Sequence, residues 1–276
     1  QRGLVGESLR VHVELAGDLD AQGMVLDFSA VKRDIKRTLD AELDHKLLVP
    51  RDLPGLTCTE HAEGLDLDIP LAAGGSIRHH SPRQAVALLP TGQVDIPSLT
   101  SAAQAAIAPL LPPNVQELRL QLEPERIEGA FFHYSHGLKC HDGNCQRIAH
   151  GHRSRLEITR DGQRDPALEA VWAARWRDSY LLMREDLLGE ETRGGQRCYR
   201  IGYRSAQGEF RLSLPQAACQ VIEQETTIEN LAQHLADRLA AAEPGVGFRT
   251  RVFEGIDKGA IGIAGPAKHF PNTAAT

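Results

Sequence analysis

The 276-residue chain contains no apolar run near the roughly 18 residues that a membrane-spanning helix requires. It does not open with a basic segment followed by an apolar one, so no secretory leader is read. It also lacks an initiating Met, starting on Gln1, and a native segment is expected before it. There is no excess of positive charge. The formal net charge of -6 leaves no electrostatic footprint for nucleic acid. Cysteine is sparse and irregularly spaced: Cys58, Cys140, Cys145, Cys198 and Cys219. An odd set without a leader argues against a disulfide framework and for a reducing, cytoplasmic setting. At least one thiol is then available for chemistry or metal. Hydrophobic residues make up 41% of the chain, enough for a packed core, so wholesale disorder is excluded. The expected partners are small molecules or further copies of the chain, with neither nucleic acid nor membrane.

Residues 9–15 alternate apolar and polar, which predicts a half-buried strand. A turn over 18–23 leads to a second strand, 24–28, in a predicted hairpin. Ser29 is placed as the N-cap of a helix whose Val31, Ile35 and Leu39 fall on one face and which ends near Asp44-His45-Lys46. Residues 98–111 form a second predicted helix, and 115–122 a strand. Trp172, Trp176, Tyr180 and Leu181 have helical spacing within 166–188 and read as a core-facing stripe. Short strands are predicted near 198–203 and 209–214, a last helix over 228–241 and a strand over 248–253. The Gly/Ala/Pro-rich tail from Gly259 reads as irregular.

A weak internal repeat organises these elements. Ser98-Leu99-Thr100 and Thr227-Ile228-Glu229 each open a helix that is followed by a strand ending in an acid, Glu123 or Glu254. Val5-Gly6-Glu7 precedes one strand as His150-Gly151-His152 precedes another. Two related α+β units, 1–129 and 130–276, are expected.

Five of the twelve histidines fall between His133 and His152. Alternation along a strand puts His150 and His152 on one face, and His136 is expected on the neighbouring strand. Three imidazoles with one open position suit a catalytic zinc ion, Zn2+, without excluding other transition metals. Cys140, Cys145, His133 and His141 are competing ligands, and a closed structural zinc site would use them. Cys145, beside Arg147, suits a general base or nucleophile. Asp44-His45 can tune a proton-transfer group, and Glu123 and Glu254 can each grip a guanidine-like edge.

Gly23-Met24-Val25-Leu26-Asp27-Phe28, Leu43-Asp44-His45-Lys46, Cys145 with His150-Gly151-His152, Thr227-Ile228-Glu229-Asn230-Leu231-Ala232 and Val252-Phe253-Glu254 together resemble the 6-pyruvoyltetrahydropterin synthase / 6-carboxytetrahydropterin synthase family. The resemblance implies tandem tunnelling-fold (T-fold) units, with antiparallel sheets carrying helices on one face and assembling into a barrel. It implies His136, His150 and His152 as zinc ligands, and Cys145, Asp44 and His45 as a proton-relay triad. Glu254 matches the pterin anchor, with Thr226 and Thr227 beside it, and Glu123 is the alternative anchor. Zinc would acidify the side-chain hydroxyls of a pterin substrate. The expected activity is that of a 6-carboxytetrahydropterin synthase-type lyase converting 7,8-dihydroneopterin triphosphate in a queuosine-type pathway. The alternatives are the 6-pyruvoyl activity and a non-catalytic pterin- or zinc-binding scaffold. Asp-His occurs only in the first half and His-Gly-His only in the second, so a composite site is expected. The spacing of Cys145, five residues before His150, keeps Cys140 in play. A homo-oligomer, trimer or dimer, is expected.

Overall fold

The computed structural model describes residues 3–266. The first half runs β1 (Leu9–Gly17), α1 (Phe28–Glu42), β2 (Leu47–Pro50), β3 (Thr57–His61), β4 (Gly64–Pro70), β5 (Ser76–Ser81), β6 (Val86–Leu89), α2 (Ile96–Ile107) and β7 (Val115–Pro124). It continues with β8 (Phe131–His136), β9 (His150–Arg160), β10 (Gln163–Arg164), α3 (Pro166–Trp176), β11 (Ser179–Met183) and β12 (Leu187–Arg193). The chain closes with β13 (Gln196–Ser205), β14 (Gly208–Pro215), β15 (Cys219–Ile222), α4 (Ile228–Ala242), β16 (Phe248–Phe253) and β17 (Gly259–Ala264). The order helix, short strand, three-stranded meander, 3-10 turn, short strand, helix, strand occurs twice: from α1 to β7 and from α3 to β16.

Each helix starts on an oxygen that satisfies free amide groups of the first turn. The Asp27 carboxylate accepts from Ser29 N and Ala30 N at 2.7 and 3.3 Å. Asp95 and Ser98 form a reciprocal capping box on α2. Asp165 caps α3, and Thr227 caps α4. Asp27 therefore displaces Ser29 as the cap of α1. Residues 24–27 do not form the predicted hairpin strand, because they lead into this cap. The partner of β1 is β7, in antiparallel register from Leu9↔Pro124.

A seven-stranded sheet has the order β15-β11-β8-β9-β16-β17, with β10 on β9. Helices α3 and α4 cover one face of its antiparallel part. Trp172, Trp176, Leu231 and Leu235 pack on Phe132, Tyr134, Leu156 and Phe248 there. The tryptophans are core, as their spacing implied. Tyr180 and Leu181 lie on β11 rather than on a helix, since α3 ends at Trp176 and Asp178 turns the chain with φ 55. The segment after Gly259 is regular, pairing with β16 as β17, while residues 267–276 of that tail lie outside the described residues.

The two meanders join through β5 and β14 into one six-stranded sheet, β12-β13-β14-β5-β4-β3. Its inner face carries Leu65, Leu67, Ile77, Ile201, Phe210 and Leu212. The sheets are not purely antiparallel: β11 runs parallel to β8 and β15, and β2 parallel to β6. The architecture is α+β with T-fold-like units. A single chain gives an open half-barrel rather than a closed one, because the first half contributes only the β1–β7 ribbon to its own sheet.

Candidate active site

The site is the polar end of the helix-covered face of the large sheet. Strand β9 alternates strictly between buried and less buried residues, which turns His150 and His152 to the same side. In the β8–β9 ladder His136 stands opposite His150, and Tyr134 opposite His152. The His136 and His150 rings are 4.4 Å apart between centroids, and each is 5.4 Å from the His152 ring. One ligand atom from each of the three lies within 4.8 Å of the others.

Hydrogen bonds fix which nitrogen of two rings faces inward. His136 Nδ1 donates to the Thr226 carbonyl at 3.0 Å and lies 3.1 Å from its hydroxyl. His150 Nδ1 donates to the Arg147 carbonyl at 2.8 Å. A carbonyl only accepts, so both Nδ1 atoms carry the proton and both Nε2 atoms keep a lone pair. The Nε2 atoms of His136, His150 and His152 are buried without a hydrogen-bond partner. Burial, reinforced by the neighbouring histidines, pushes the pKa of His136 down to about 3 and that of His150 well below its ordinary range. Buried, neutral imidazoles with orphaned lone pairs fit a transition-metal dication.

The turn after α1 delivers Asp44 and His45 to the same place. His45, held at φ 54, has its ring 5.3 Å from that of His150 and 6.2 Å from that of His152. Its Nδ1 is 2.6 Å from the Asp44 carboxylate. Burial disfavours its charge, but the hydrogen bond to Asp44 and the nearby Cys145 thiol outweigh that and raise its pKa to about 10. Cys145, on the 3-10 turn that leads into β9, lies near enough to His45 to favour its charged form. Asp44, His45 and Cys145 meet the three histidines within one chain. Arg147, read in the sequence only as a neighbour of Cys145, ties the parts together. Its guanidinium reaches the carbonyls of Asp44 and His45 at 3.4 and 3.5 Å, while its own carbonyl orients His150.

Glu254, just past β16, places a carboxylate oxygen 3.3 Å from His152 Nε2, an ion-pair distance without hydrogen-bond geometry. Burial opposes ionisation, but His152, His136 and Lys258 hold its pKa down to about 2. Thr226 orients His136, whereas the Thr227 hydroxyl is committed to the α4 cap. Glu123 is not brought here. It lies on the exposed side of the β1–β7 ribbon, bonded to Gln121 and 3.8 Å from His12. Among the described residues Cys140, Cys145 and His141 join no cluster of three potential ligands. His133 points to the opposite face of the sheet, towards Glu7 at 3.2 Å. The site opens into a cleft of about 1930 Å3 that runs past Lys46 to the apolar faces of β1 and α1.

Fold and site together define a T-fold-like protein with a three-histidine pocket and an adjacent Asp-His-Cys group. The sequence model of the family described as 6-pyruvoyl tetrahydropterin synthase matches residues 3–112 and 127–175, over half of the chain. The chain belongs to that family. The match corrects the expected 6-carboxytetrahydropterin product and queuosine-type pathway, because the matched family is the 6-pyruvoyl one. Comparison with curated proteins gives no match. Among solved structures, a catalytic-residue mutant of Plasmodium vivax 6-pyruvoyltetrahydropterin synthase is 16% identical, with a TM-score of 0.37. The alignment covers 49% of this chain and 92% of that one. The Plasmodium falciparum enzyme is 14% identical over the same shares, also with a TM-score of 0.37.

Proposed function

We propose that the chain is a zinc-dependent lyase of the 6-pyruvoyltetrahydropterin synthase type, acting on 7,8-dihydroneopterin triphosphate with loss of triphosphate. The observation that carries this reading is the convergence of three orphaned, buried Nε2 atoms beside Asp44, His45 and Cys145. His136, His150 and His152 would hold the zinc. When bound, it supplies Lewis-acid polarisation of the substrate's side-chain hydroxyls.

The chain's own residues divide the remaining work. Cys145 Sγ and the His45 imidazole exchange protons with the substrate side chain, and Asp44 holds His45 in orientation and stabilises its charged form. Glu254, ionised and partly buried, accepts from the guanidine-like edge of the pterin. Thr226 and Arg147 act as positioning residues, through His136 and through the 44–45 turn respectively. Lys46 and Lys258 line the same cleft and offer positive charge to a triphosphate.

The site draws Asp44 and His45 from the first of two units, 1–129, and the histidines and Cys145 from the second, 130–276. Among the described residues the sheets have open edges and the apolar walls of the cleft are uncovered, which favours a homo-oligomer, trimer or dimer, in which further strands close the barrel.

Zinc-loaded protein incubated with 7,8-dihydroneopterin triphosphate should release triphosphate and form the 6-pyruvoyl product. Replacing Cys145 by Ala should abolish most of that turnover while leaving pterin binding in place. Full turnover by that variant would overturn the assignment. Pterin binding by wild type without turnover would point instead to a non-catalytic scaffold.

A further inference from the structure

A second convergence of ligands lies on the outer face of the six-stranded sheet, on strands β3, β4 and β5. Asp66 on β4 stands directly opposite His80 on β5. On the other side Asp66 pairs with Thr59, and His61 follows Thr59 by two residues, so the pleat turns His61 to the same face on the diagonal. Gly64, opposite His61, adds no side chain beneath the ring.

The contacts are specific. His80 Nδ1 is 2.7 Å from Asp66 Oδ1, and His61 Nε2 is 3.0 Å from Asp66 Oδ2. The two imidazoles are stacked at 5.6 Å between centroids with 16° between their planes. One ligand atom from each of the three residues lies within 4.8 Å of the others. The surrounding cations are already matched: Arg211, across from His80, pairs with Glu209, Arg78 with Asp68, and Arg83 with Glu60. Asp66 therefore contributes a local negative charge that no arginine neutralises directly.

We propose that His61, Asp66 and His80 form a second metal site, solvent-open, that takes a first-row divalent cation such as Zn2+. Two imidazoles and one carboxylate are an ordinary zinc donor set, with water free to fill the remaining position. Binding uses the neutral tautomers whose lone pairs are on the nitrogens now facing Asp66, Nε2 of His61 and Nδ1 of His80, with the ring protons on the outer nitrogens. Three adjacent strands of one sheet hold the donors, so little ordering remains to be done on binding. This site shares no residue with the His136, His150 and His152 cluster and stands independently of the activity proposed above.

The full-length chain, freed of metal and then equilibrated with chelator-buffered zinc, should bind about two ions, one at each three-ligand cluster. The double variant His61→Gln/His80→Gln should lose one of them and keep the other. The double variant His150→Ala/His152→Ala should keep the outer-face ion. Cobalt bound to that second variant should give visible d–d absorption that is absent when His61 and His80 are also replaced. Identical zinc stoichiometry in wild type and His61→Gln/His80→Gln would overturn the proposal, as would loss of all zinc in His150→Ala/His152→Ala with its circular dichroism unchanged. Because His61 is exposed, His80 is half-buried and their variants retain the first ion, a misfolded variant is recognised by the loss of both.

Discussion

His136 and His150 each give an Nδ1 proton to a backbone carbonyl, and that single fact sets what their other nitrogens can do. Replacing Thr226 with Val removes the hydroxyl near His136 but leaves the carbonyl, so zinc affinity should fall by no more than about tenfold. Replacing His150 with Ala should remove binding at that cluster outright, and competition with a chromogenic chelator distinguishes the two cases. At the reacting end, Cys145→Ala should lower kcat by roughly 10²- to 10⁴-fold, the usual range for a positioned acid–base group, with zinc content unchanged. The remaining thiols separate by environment. Burial, with Cys198 nearby, pushes Cys219 up to about 12, whereas Cys58 and Cys140 are exposed. The thiolate is the reactive form, and its fraction falls tenfold for each unit that pH lies below the pKa. At pH 8 iodoacetamide should modify Cys58 and Cys140 while sparing Cys219, whose rate should still be climbing at pH 10. Peptide mapping after timed alkylation measures this directly.

At the scale of elements, one close backbone crossing and the caps decide where the site residues stand. Gly6 passes so close to β8 and β9 that a Cβ there would sit 2.1 Å from the Tyr134 carbonyl and 2.2 Å from His152 N. Gly6→Ala should therefore destabilise the fold by about 1–3 kcal/mol, as overpacking does, and loosen His152 with it. Urea denaturation of the metal-free chain gives the value. Helix α1 is held differently from α4. Leu231 and Leu235 of α4 are fully buried, whereas only Ile35 of α1 is buried in the single chain. Leu235→Ala should cost about 2–5 kcal/mol. The helix pattern of α1 was legible because Val31, Ile35 and Leu39 recur on one face. Its cap was misplaced by two residues because Asp27 and Ser29 are both good capping types, and only the local backbone selects between them. The strand predicted over 24–28 failed for a related reason. Asn114 donates to the Val25 carbonyl at 2.7 Å, so a side chain takes the acceptor a ladder would have used.

For the whole molecule, the cleft beside the three histidines is walled by apolar residues of β1 and α1 that nothing among the described residues covers. Leu39→Asp, on that wall, should shift the protein towards monomer in sedimentation velocity while costing the isolated chain little stability. An unchanged sedimentation coefficient would argue that a different surface mediates assembly. Zinc removal should lower the apparent stability, since an ion bound only by the folded state contributes about 2.7 kcal/mol at a hundredfold excess over Kd. Calorimetry with and without chelator reads this as a shift in Tm. The sequence by itself determined the periodic elements, the same-face spacing of His150 and His152, and the membership of a family, because these depend on neighbours along the chain. It also carried the repeat, since α1 to β7 and α3 to β16 follow one order. Tertiary structure alone decided that the Asp44-His45 turn packs against the rings of His150 and His152 in the same chain, that Glu123 faces away, and that Arg147 links the turn to β9. It also decided that His61, Asp66 and His80 share one face. Those relations join residues far apart in sequence through the pairing register of strands, and a shift of one residue would turn each side chain to the other side of its sheet.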